Sequence, residues 1–348
     1  MHATYPPDIR SLEVLPLDDP RWRSFVALHP HATPFHDPAW ATLLAQSYRY
    51  SGHVLAQVRD DGAVMAGVPV LAPPRLPGRA RRLVSLPFTD AIPPLVPEVN
   101  QAGFTALLDR ARAPLGVARI ELRGPLGGAR VVETGAVVHT LCLTHDAEAV
   151  VAGFSKSARR NIRLAERRGI SVRRAHDERD LTEIFYALHL ATRSRLGVPV
   201  QPKRFFRLLW RVLTDAQLGF VLVAEQEGRP VASAVFLQAG GSVVYKYSAS
   251  DAAALSSKPN DLLISTAIRD ACESGCSHFD FGRSELATEG LRAFKSGFGA
   301  TEETLRYAVI GEFEGGGGDG GGTVRRVLQR SPAWATRVVG ELCYRYAA

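Results

Sequence analysis

A dense run of basic residues near the middle of the chain is the strongest chemical signal in the sequence. Between residues 155 and 174, eight lysines and arginines stand against a single glutamate. Ser155 suits the N-cap of a helix, and Gly169 suits the left-handed residue that follows one. Three apolar residues between them fall at helical spacing: Ala158, Ile162 and Ala165. The pattern predicts a helix with one core-facing side and one cationic side.

The cationic side of this predicted helix carries four candidate ligand-binding residues: Lys156, Arg159, Arg160 and Arg163. Guanidinium groups grip phosphate oxygens in a bidentate fashion, so the cluster predicts a phosphate-bearing substrate. A solvated helix face is the alternative interpretation. The acids that normally interleave such a face are missing, and the run lies where two similar halves of the chain meet. We therefore expect phosphate binding at a cleft between domains.

A second group of polar residues follows the predicted strands of the second half. Its members are Tyr245, Lys246, Tyr247, Asn260, Asp280, Arg283 and Lys295. Loops at strand ends commonly carry functional sites, and a helix that starts near Asn260 favours anions at its N-terminus. Each residue also has a structural interpretation: Asp280 could pair with Arg283 or Lys246, and the two tyrosines could share one core-facing side of a strand. As a group they predict a site.

The elements that must position these residues occur in the same order in both halves. Each half reads as helices, a β-hairpin, a third strand, a loop, a helix, and a strand that ends in glycine and a basic residue. The hairpin turns are predicted at residues 60–62 and 227–230. This order predicts duplication of one α/β domain, with a chance match of a common α+β order as the alternative.

Composition excludes several function classes. The 348 residues suffice for two domains, and the net charge of +7 permits an anionic partner without demanding bulk nucleic-acid binding. The sequence lacks nucleophile-elbow, zinc-protease, Walker and Rossmann motifs. Four cysteines form no CxxC pair, and Cys272 and Cys276 are expected as buried thiols rather than metal ligands. With no signal peptide or spanning segment in the sequence, we expect a cytoplasmic protein without a metal.

Several of these segments resemble the Fem-type (FemABX-like) aminoacyltransferases and the related tandem GNAT-like acyltransferases. The matching segments are Phe154–Arg163, Thr192–Pro199, Tyr245–Ser250, Asn260, Asp280–Arg283 and Leu291–Lys295, with Leu86–Asp90 in the first half. The resemblance implies an α/β (α+β) fold of two tandem GNAT-like domains, each a mixed, mostly antiparallel sheet flanked by helices. It also adds Arg193 to the substrate-binding residues.

We place the first domain at residues 1–150 and the second at residues 151–312. Glycines dominate residues 313–323, which predicts a flexible linker. Residues 324–348 are predicted to form a C-terminal helical segment with an apolar stripe. That stripe is expected to dock on its own domain, with peripheral membrane contact as the alternative.

The resemblance implies an acyltransferase that moves an aminoacyl group from aminoacyl-tRNA to an amine of a phosphate-bearing acceptor, such as a peptidoglycan precursor or a small molecule. Lys295 would stabilise the oxyanion, and Asp280 is the candidate base. No cofactor beyond the donor is expected. The chain lacks the coiled-coil arm of some relatives.

Two alternatives stay open. One is an acyl-CoA-dependent N-acyltransferase, although residues 248–259 contain no glycine to cradle a pyrophosphate. The other is a non-catalytic module that binds an anionic glycolipid or RNA.

Overall fold

The computed structural model describes residues 9–75, 78, 80–312 and 344. The described residues up to Thr134, together with residues 305–312, form one compact unit, called unit 1 here. Residues Gly135–Thr304, with Tyr344, form the other, unit 2. The predicted glycine linker at 313–323 and the predicted C-terminal helical segment at 324–348 lie outside the described residues, apart from Tyr344.

Unit 1 combines three helices with a six-stranded sheet. The helices are α1 (Pro20–Leu28), α2 (Pro38–Tyr48) and α3 (Gln101–Ala111). The strands are β1 (Ile9–Leu15), β2 (Ser51–Arg59), β3 (Val64–Ala72), β4 (Arg82–Val84), β5 (Arg119–Leu122) and the end of β12 (Thr301–Gly311). Asp19 and Asp37 cap α1 and α2 ahead of a proline, each accepting a backbone N–H at 2.8 Å.

Unit 2 is larger. Its helices are α4 (Ala147–Ala152), α5 (Lys156–Arg167), α6 (Tyr186–Leu196), α7 (Lys203–Thr214), α8 (Pro259–Glu273) and α9 (Glu289–Ser296). Its strands are β6 (Arg130–Cys142), β7 (Ile170–Arg174), β8 (Gly219–Gln226), β9 (Arg229–Ala239), β10 (Ser242–Ser250) and β11 (His278–Glu285). A π-helical turn, Asp180–Phe185, leads into α6.

The two units share one sheet topology. In unit 1 the strand order is β1-β2-β3-β4-β5-β12, and in unit 2 it is β7-β8-β9-β10-β11-β6. In both sheets the fourth and fifth strands are parallel and the first four are antiparallel neighbours. The pair of mixed, mostly antiparallel sheets flanked by helices agrees with the predicted fold and with duplication.

Each sheet is completed by a strand that follows the other unit's fifth strand in the sequence. β12 pairs antiparallel with β5, and β6 pairs antiparallel with β11. The predicted domains are continuous segments that meet at residue 150, with the second ending at residue 312. Because β6 and β12 each belong to the sheet of the other segment, these boundaries remain a prediction.

Helices cover both faces of the sheet in unit 2. α5 and α8 pack on the face that presents Phe220, Leu222 and Ala224 of β8, where they bury a continuous apolar cluster. The other face of the sheet carries α6, which contacts β10, and α7, which contacts β8.

None of the helices in the described ranges combines the length and the apolar composition that a membrane-spanning segment requires.

Four elements were missed by the sequence analysis: β1, α4, β7 and α9. β7 was counted as part of the basic run because arginines end it. In the structure Arg173 bonds to Asp180 at 2.8 and 2.9 Å and to Glu225 at 2.8 Å, and these carboxylates raise the pKa of its guanidinium. Arg173 is therefore tied to its own unit, unlike the arginines of α5.

Candidate active site

The sheet of unit 2 opens between its two parallel strands. β10 and β11 pair only from Ser242–His278 to Val244–Asp280, although β10 continues to Ser250. Beyond that point β11 pairs with β6 on its other side. The polar residues predicted from the sequence begin where the pairing of the parallel strands stops.

A bulge in β11 lies at the same point. Asp280 pairs with Thr140 of β6, and Arg283 pairs with Val138, so Phe281 and Gly282 together face a single residue of β6. Gly282 has a φ of +70°, a left-handed conformation that glycine adopts without strain. Such bulges redirect side chains and are frequent beside functional sites.

The two predicted catalytic residues meet at Gly282. Asp280 accepts the Gly282 N–H through Oδ1 at 2.7 Å. From the facing helix α9, the Nζ of Lys295 donates to the carbonyl oxygens of Gly282 at 2.7 Å and Arg283 at 3.0 Å. Lys295 is only 3% exposed. A buried ammonium is costly unless hydrogen-bonded, so these carbonyls stabilise the cation while the cation fixes the bulge.

The residue of β6 that faces the bulge is His139, which the sequence analysis missed. It is fully buried, and its Nε2 lies 3.1 Å from a carboxylate oxygen of Glu302. Burial lowers the pKa of His139 and the positive charge of Lys295 lowers it further, whereas Glu302 acts in the opposite direction; the net lowering favours the neutral imidazole. The available signal was one histidine that follows the apolar pair Val137 and Val138 in the strand.

Arg292 forms an ion pair with Glu302, the carboxylate that lies beside His139. The Nε and Nη2 of Arg292 each donate to a carboxylate oxygen of Glu302 at 2.8 Å. This bidentate pair joins α9 to β12, one helical turn from Lys295. α9 is therefore held at two places, by the buried lysine and by the half-exposed ion pair.

The predicted basic helix forms as expected. The side chain of Ser155 caps it by accepting the Ala158 N–H at 3.1 Å, and Gly169 follows it with a φ of +73°. Three residues face the core, namely Ala158, Ile162 and Ala165. The backbone N–H of Ser155 donates to the Gly297 carbonyl at 2.8 Å, so α5 begins against the end of the helix that carries Lys295.

The four candidate phosphate-binding cations of α5 point away from that core. They are Lys156, Arg160 and Arg163, which are exposed, and Arg159, which is half-buried. Within the described part of the chain none of these side chains forms an ion pair or hydrogen bond. The cationic surface near the end of α9 therefore has no internal counter-charge.

Tyr245 and Tyr247 lie on opposite faces of the sheet, whereas strand alternation predicts a shared face. The register between β10 and β9 shifts between the two tyrosines, and this irregularity reverses the side-chain order. Tyr245 packs against Phe236 in the cluster beneath α5 and α8. Tyr247 contacts the rings of Phe205 and Phe206, on the side of α7.

Lys246 lies between the tyrosines, with its Nζ 5.5 Å from the centre of the Tyr247 ring.

Burial raises the pKa of Tyr245 to about 12, and the carboxylate of Asp261 acts in the same direction. The Tyr245 phenol therefore stays protonated in the folded protein.

The start of α8 contains a buried carboxyl group that the sequence analysis did not select. Asp261 is 6% exposed and accepts a hydrogen bond from the Nδ2 of Asn161, on α5, at 3.0 Å. Burial raises the pKa of Asp261. Beside it, the Nδ2 of Asn260 lies 3.4 Å from the Ser250 hydroxyl. This end of α8 is thus linked to both β10 and the basic helix.

The two other predicted substrate-binding arginines have partners within the chain. Arg193 donates to the Pro199 carbonyl at 3.0 Å and to the Tyr344 hydroxyl at 2.8 Å. Arg283 donates to Glu285 at 2.8 and 3.1 Å. Of the predicted site residues, the structure brings Asp280, Lys295 and the backbone of Arg283 together. Arg193 lies on α6, against the loop that follows it.

Comparison with known proteins agrees with this arrangement. Residues 152–296 match the family model described as an acetyltransferase (GNAT) domain. This segment has the GNAT fold. The matched GNAT segment contains α5, the parted strands and Lys295, so every site residue predicted from the sequence lies inside it, whereas His139 and Glu302 lie outside. No curated protein matches the chain.

Solved structures resemble the chain over most of its length. FemX matches with a TM-score of 0.67 and 16% identity, covering 85% of this chain and 96% of that protein. L-PGS from Bacillus licheniformis matches with a TM-score of 0.55 and 13% identity, covering 94% and 98%. A conserved protein of unknown function from Bacteroides thetaiotaomicron matches with a TM-score of 0.54 and 10% identity, covering 86% and 98%.

At such identities the likeness concerns the fold. The expected resemblance to Fem-like and GNAT acyltransferases is confirmed at this level, and the predicted enzyme class, an acyltransferase, is supported by the GNAT domain match.

Proposed function

We propose that this acyltransferase moves an aminoacyl group from aminoacyl-tRNA to an amine of a phosphate-bearing acceptor. The observation that carries the proposal is the cationic face of α5, which has no acidic partner among the described residues and begins against the end of α9. Arg159, Arg160 and Arg163 can bind phosphate oxygens there, because guanidinium groups match their geometry. Both proposed substrates contain phosphate.

The reaction requires stabilisation of negative charge. The acceptor amine attacks the ester carbonyl, a C–N bond forms, and the carbonyl oxygen becomes an oxyanion before the ester C–O bond breaks. Lys295 supplies a buried positive charge beside the end of β11. Loss of one donor of this kind typically lowers the rate by about 10²–10³-fold.

Proton transfer completes the reaction. The amine must lose a proton, and the ribose hydroxyl that leaves must gain one. Asp280 is the proposed base, since its carboxylate is half-buried at the end of the strand pairing. A phosphate of the acceptor is the alternative base, and in that case Asp280 serves only to hold Gly282.

The start of α8 favours tRNA over CoA as the donor. A pyrophosphate at a helix N-terminus needs free backbone N–H groups and no competing negative charge. Here Pro259 lacks an N–H group, and Asp261 places a buried carboxyl in the first turn. Acyl-CoA remains the second candidate donor, because the matched family model describes an acetyltransferase.

The acceptor class and the cellular site belong to the proposal as well. A peptidoglycan precursor or another small phosphate-bearing amine fits the cations of α5, and a cytoplasmic location would give access to charged tRNA. No metal or organic cofactor is assigned a role in the transfer.

The decisive experiment incubates the protein with a mixture of charged tRNAs and cell extract, and follows the aminoacyl esters individually. Accelerated loss of one ester that depends on both protein and extract is the expected result. Isothermal titration with CoA is the companion measurement. Micromolar CoA binding together with unchanged esters would replace the tRNA proposal by an acyl-CoA transferase.

A further inference from the structure

A second cationic surface lies on α7, and the site described above does not use it. From residue 184 to residue 214 the chain contains no acidic residue. The six cations of this stretch are Arg193, Arg195, Lys203, Arg204, Arg207 and Arg211. Four of them fall within α7, which therefore has no acid to offset its charge.

The arginines of α7 form a stripe directly opposite its buried side. Four residues pack inward: Phe205, Phe206, Leu209 and Leu213. Arg204, Arg207 and Arg211 follow at spacings of three and four, so they line up along the outer face. All three are exposed, and in the described part of the protein their side chains form no hydrogen bond or ion pair. They repel one another without an internal counter-charge.

Partly exposed apolar residues flank the stripe. Leu208 lies on one side of it and Trp210 on the other, and both are only half-buried. On the same edge as Trp210, the Nζ of Lys203 lies 5.6 Å from the centre of the Tyr186 ring. Cations beside a tryptophan and a leucine suit a boundary between charged headgroups and acyl chains, where such side chains place their polar ends outward.

The α7 surface cannot bind the same part of a ligand as α5, because the two helices cover opposite faces of the unit 2 sheet. The cluster beneath α5 and α8 contains Phe220 and Leu222 of β8. On the other face, Phe205 and Phe206 of α7 contact Tyr247. A partner of α7 is thus separate from the phosphate groups proposed for α5.

We propose that the outer face of α7 docks on an anionic phospholipid bilayer. The three arginines span about 10 Å along one straight line, since seven residues of α-helix rise 1.5 Å each, and a flat charged surface can meet all of them at once. Each cation near an anionic bilayer contributes about fivefold in binding, so the three together contribute about a hundredfold. The partly exposed Trp210 and Leu208 favour lipid over nucleic acid as the partner.

The test uses the full chain and vesicles, with no donor or acceptor, so its result does not depend on the proposed transfer reaction. Sedimentation with vesicles of phosphatidylcholine containing phosphatidylglycerol should carry down the protein, and vesicles of phosphatidylcholine alone should not. The variant R204Q/R207Q/R211Q should bind the anionic vesicles about a hundredfold more weakly. R159Q/R160Q/R163Q removes the same charge from α5 and should bind like the wild type.

Two further measurements keep the result interpretable. The variant R204K/R207K/R211K retains the charge and should retain binding, and thermal unfolding shows whether each variant is folded. Equal binding by the α7 and α5 glutamine variants would overturn the proposal. It would also be overturned if folded protein ignored the vesicles while an RNA oligonucleotide bound in a manner that required the three arginines, since α7 would then be a nucleic-acid surface.

Discussion

In unit 1 the parallel strands β4 and β5 end in hydrogen bonds that join them, whereas in unit 2 the equivalent strands β10 and β11 part. Arg123, just after β5, donates its backbone N–H to the Ser85 hydroxyl at 2.7 Å and accepts the Ile92 N–H at 2.7 Å. The side chain of Arg123 donates to Tyr307, which in turn donates to the Asp90 carbonyl. These polar groups of the strand end are thus engaged with their own chain, although the Nε of Arg123 is buried without a hydrogen-bond partner among the described residues.

In unit 2 two side chains hold the equivalent point, one from β11 itself and one from another element. Asp280 on β11 accepts the Gly282 N–H, and Lys295 on α9 donates to the Gly282 carbonyl, while no backbone pair among the described residues joins β10 to β11 past Asp280. The two units therefore use the same sheet topology differently. In unit 1 the loop after β4 joins the ends of the parallel strands, whereas in unit 2 the ends of the parallel strands separate beside a buried cation. In the function proposed above, the transfer chemistry belongs to unit 2, and the same position in unit 1 has a scaffold role.

The largest effect is expected from Lys295→Met. It removes the buried positive charge, so the transfer rate should fall by about 10²–10³-fold. The measurement is single-turnover loss of the aminoacyl ester. Arg123→Met removes the cation that follows the equivalent strand, β5, in unit 1 and should leave the rate near that of the wild type. Equal losses in the two variants would show that the units do not differ in this way.

Buried histidines predict a matched acid sensitivity in both units. Burial lowers the pKa of His36 in unit 1 to about 4 and that of His189 in unit 2 to about 3. The unfolded chain then binds more protons than the folded one below pH 6.5, so stability falls as the pH falls. Between pH 6.5 and pH 4 each histidine should remove about 3 kcal/mol of unfolding free energy.

Urea unfolding at several pH values measures this loss. His36→Gln and His189→Gln should each have a shallower decline with pH than the wild type, and below pH 4 only the effect of His189 should continue. A decline identical to that of the wild type would show that the replaced histidine titrates normally in the folded protein.

Removal of charge from α5 should weaken substrate binding without abolishing turnover. For R159Q/R160Q/R163Q we expect KM for the charged tRNA to rise at least about tenfold, the equivalent of one charge-assisted hydrogen bond. The dependence of log affinity on log salt should become shallower by about 2 units, since three phosphate contacts are lost from a single strand. R167Q/R168Q, nearer the end of the same helix, is the matched control and should change both quantities less.

Local signals predicted the parts of the site that depend on local structure. The N-cap at Ser155, the core-facing residues of α5 and Gly169 follow from helical spacing and capping chemistry, and the structure agrees. Asp280 and Lys295 were selected as residues near a strand end, and their meeting at Gly282 was not predicted. That meeting depends on a bulge, and the bulge depends on the register between β11 and the distant β6.

The same dependence on distant pairing explains the features that were missed. His139 faces the bulge only because of that register, and nothing near it in the sequence indicates a site. The structural alternative for Tyr245 and Tyr247 put them on one face because alternation is a local rule, whereas a register shift against β9 separates them. Asp261 reads as an ordinary first-turn acid, and its burial follows from the packing of α5 on α8.

The smallest predicted effect tests whether the bulge itself matters. Gly282→Ala and Gly169→Ala both place a side chain on a left-handed backbone, at φ values of +70° and +73°. Each should cost about 1–2 kcal/mol of unfolding free energy by that strain. At Gly169 a Cβ atom would meet nothing within 4 Å, so backbone strain is the whole expected effect of the substitution. At Gly282 the same strain falls on the residue whose N–H binds Asp280 and whose carbonyl binds Lys295, so the transfer rate should fall as well. If the two alanine variants lost equal stability and kept equal rates, the bulge would be a structural irregularity, and the openness of β10 and β11 alone would distinguish unit 2 from unit 1.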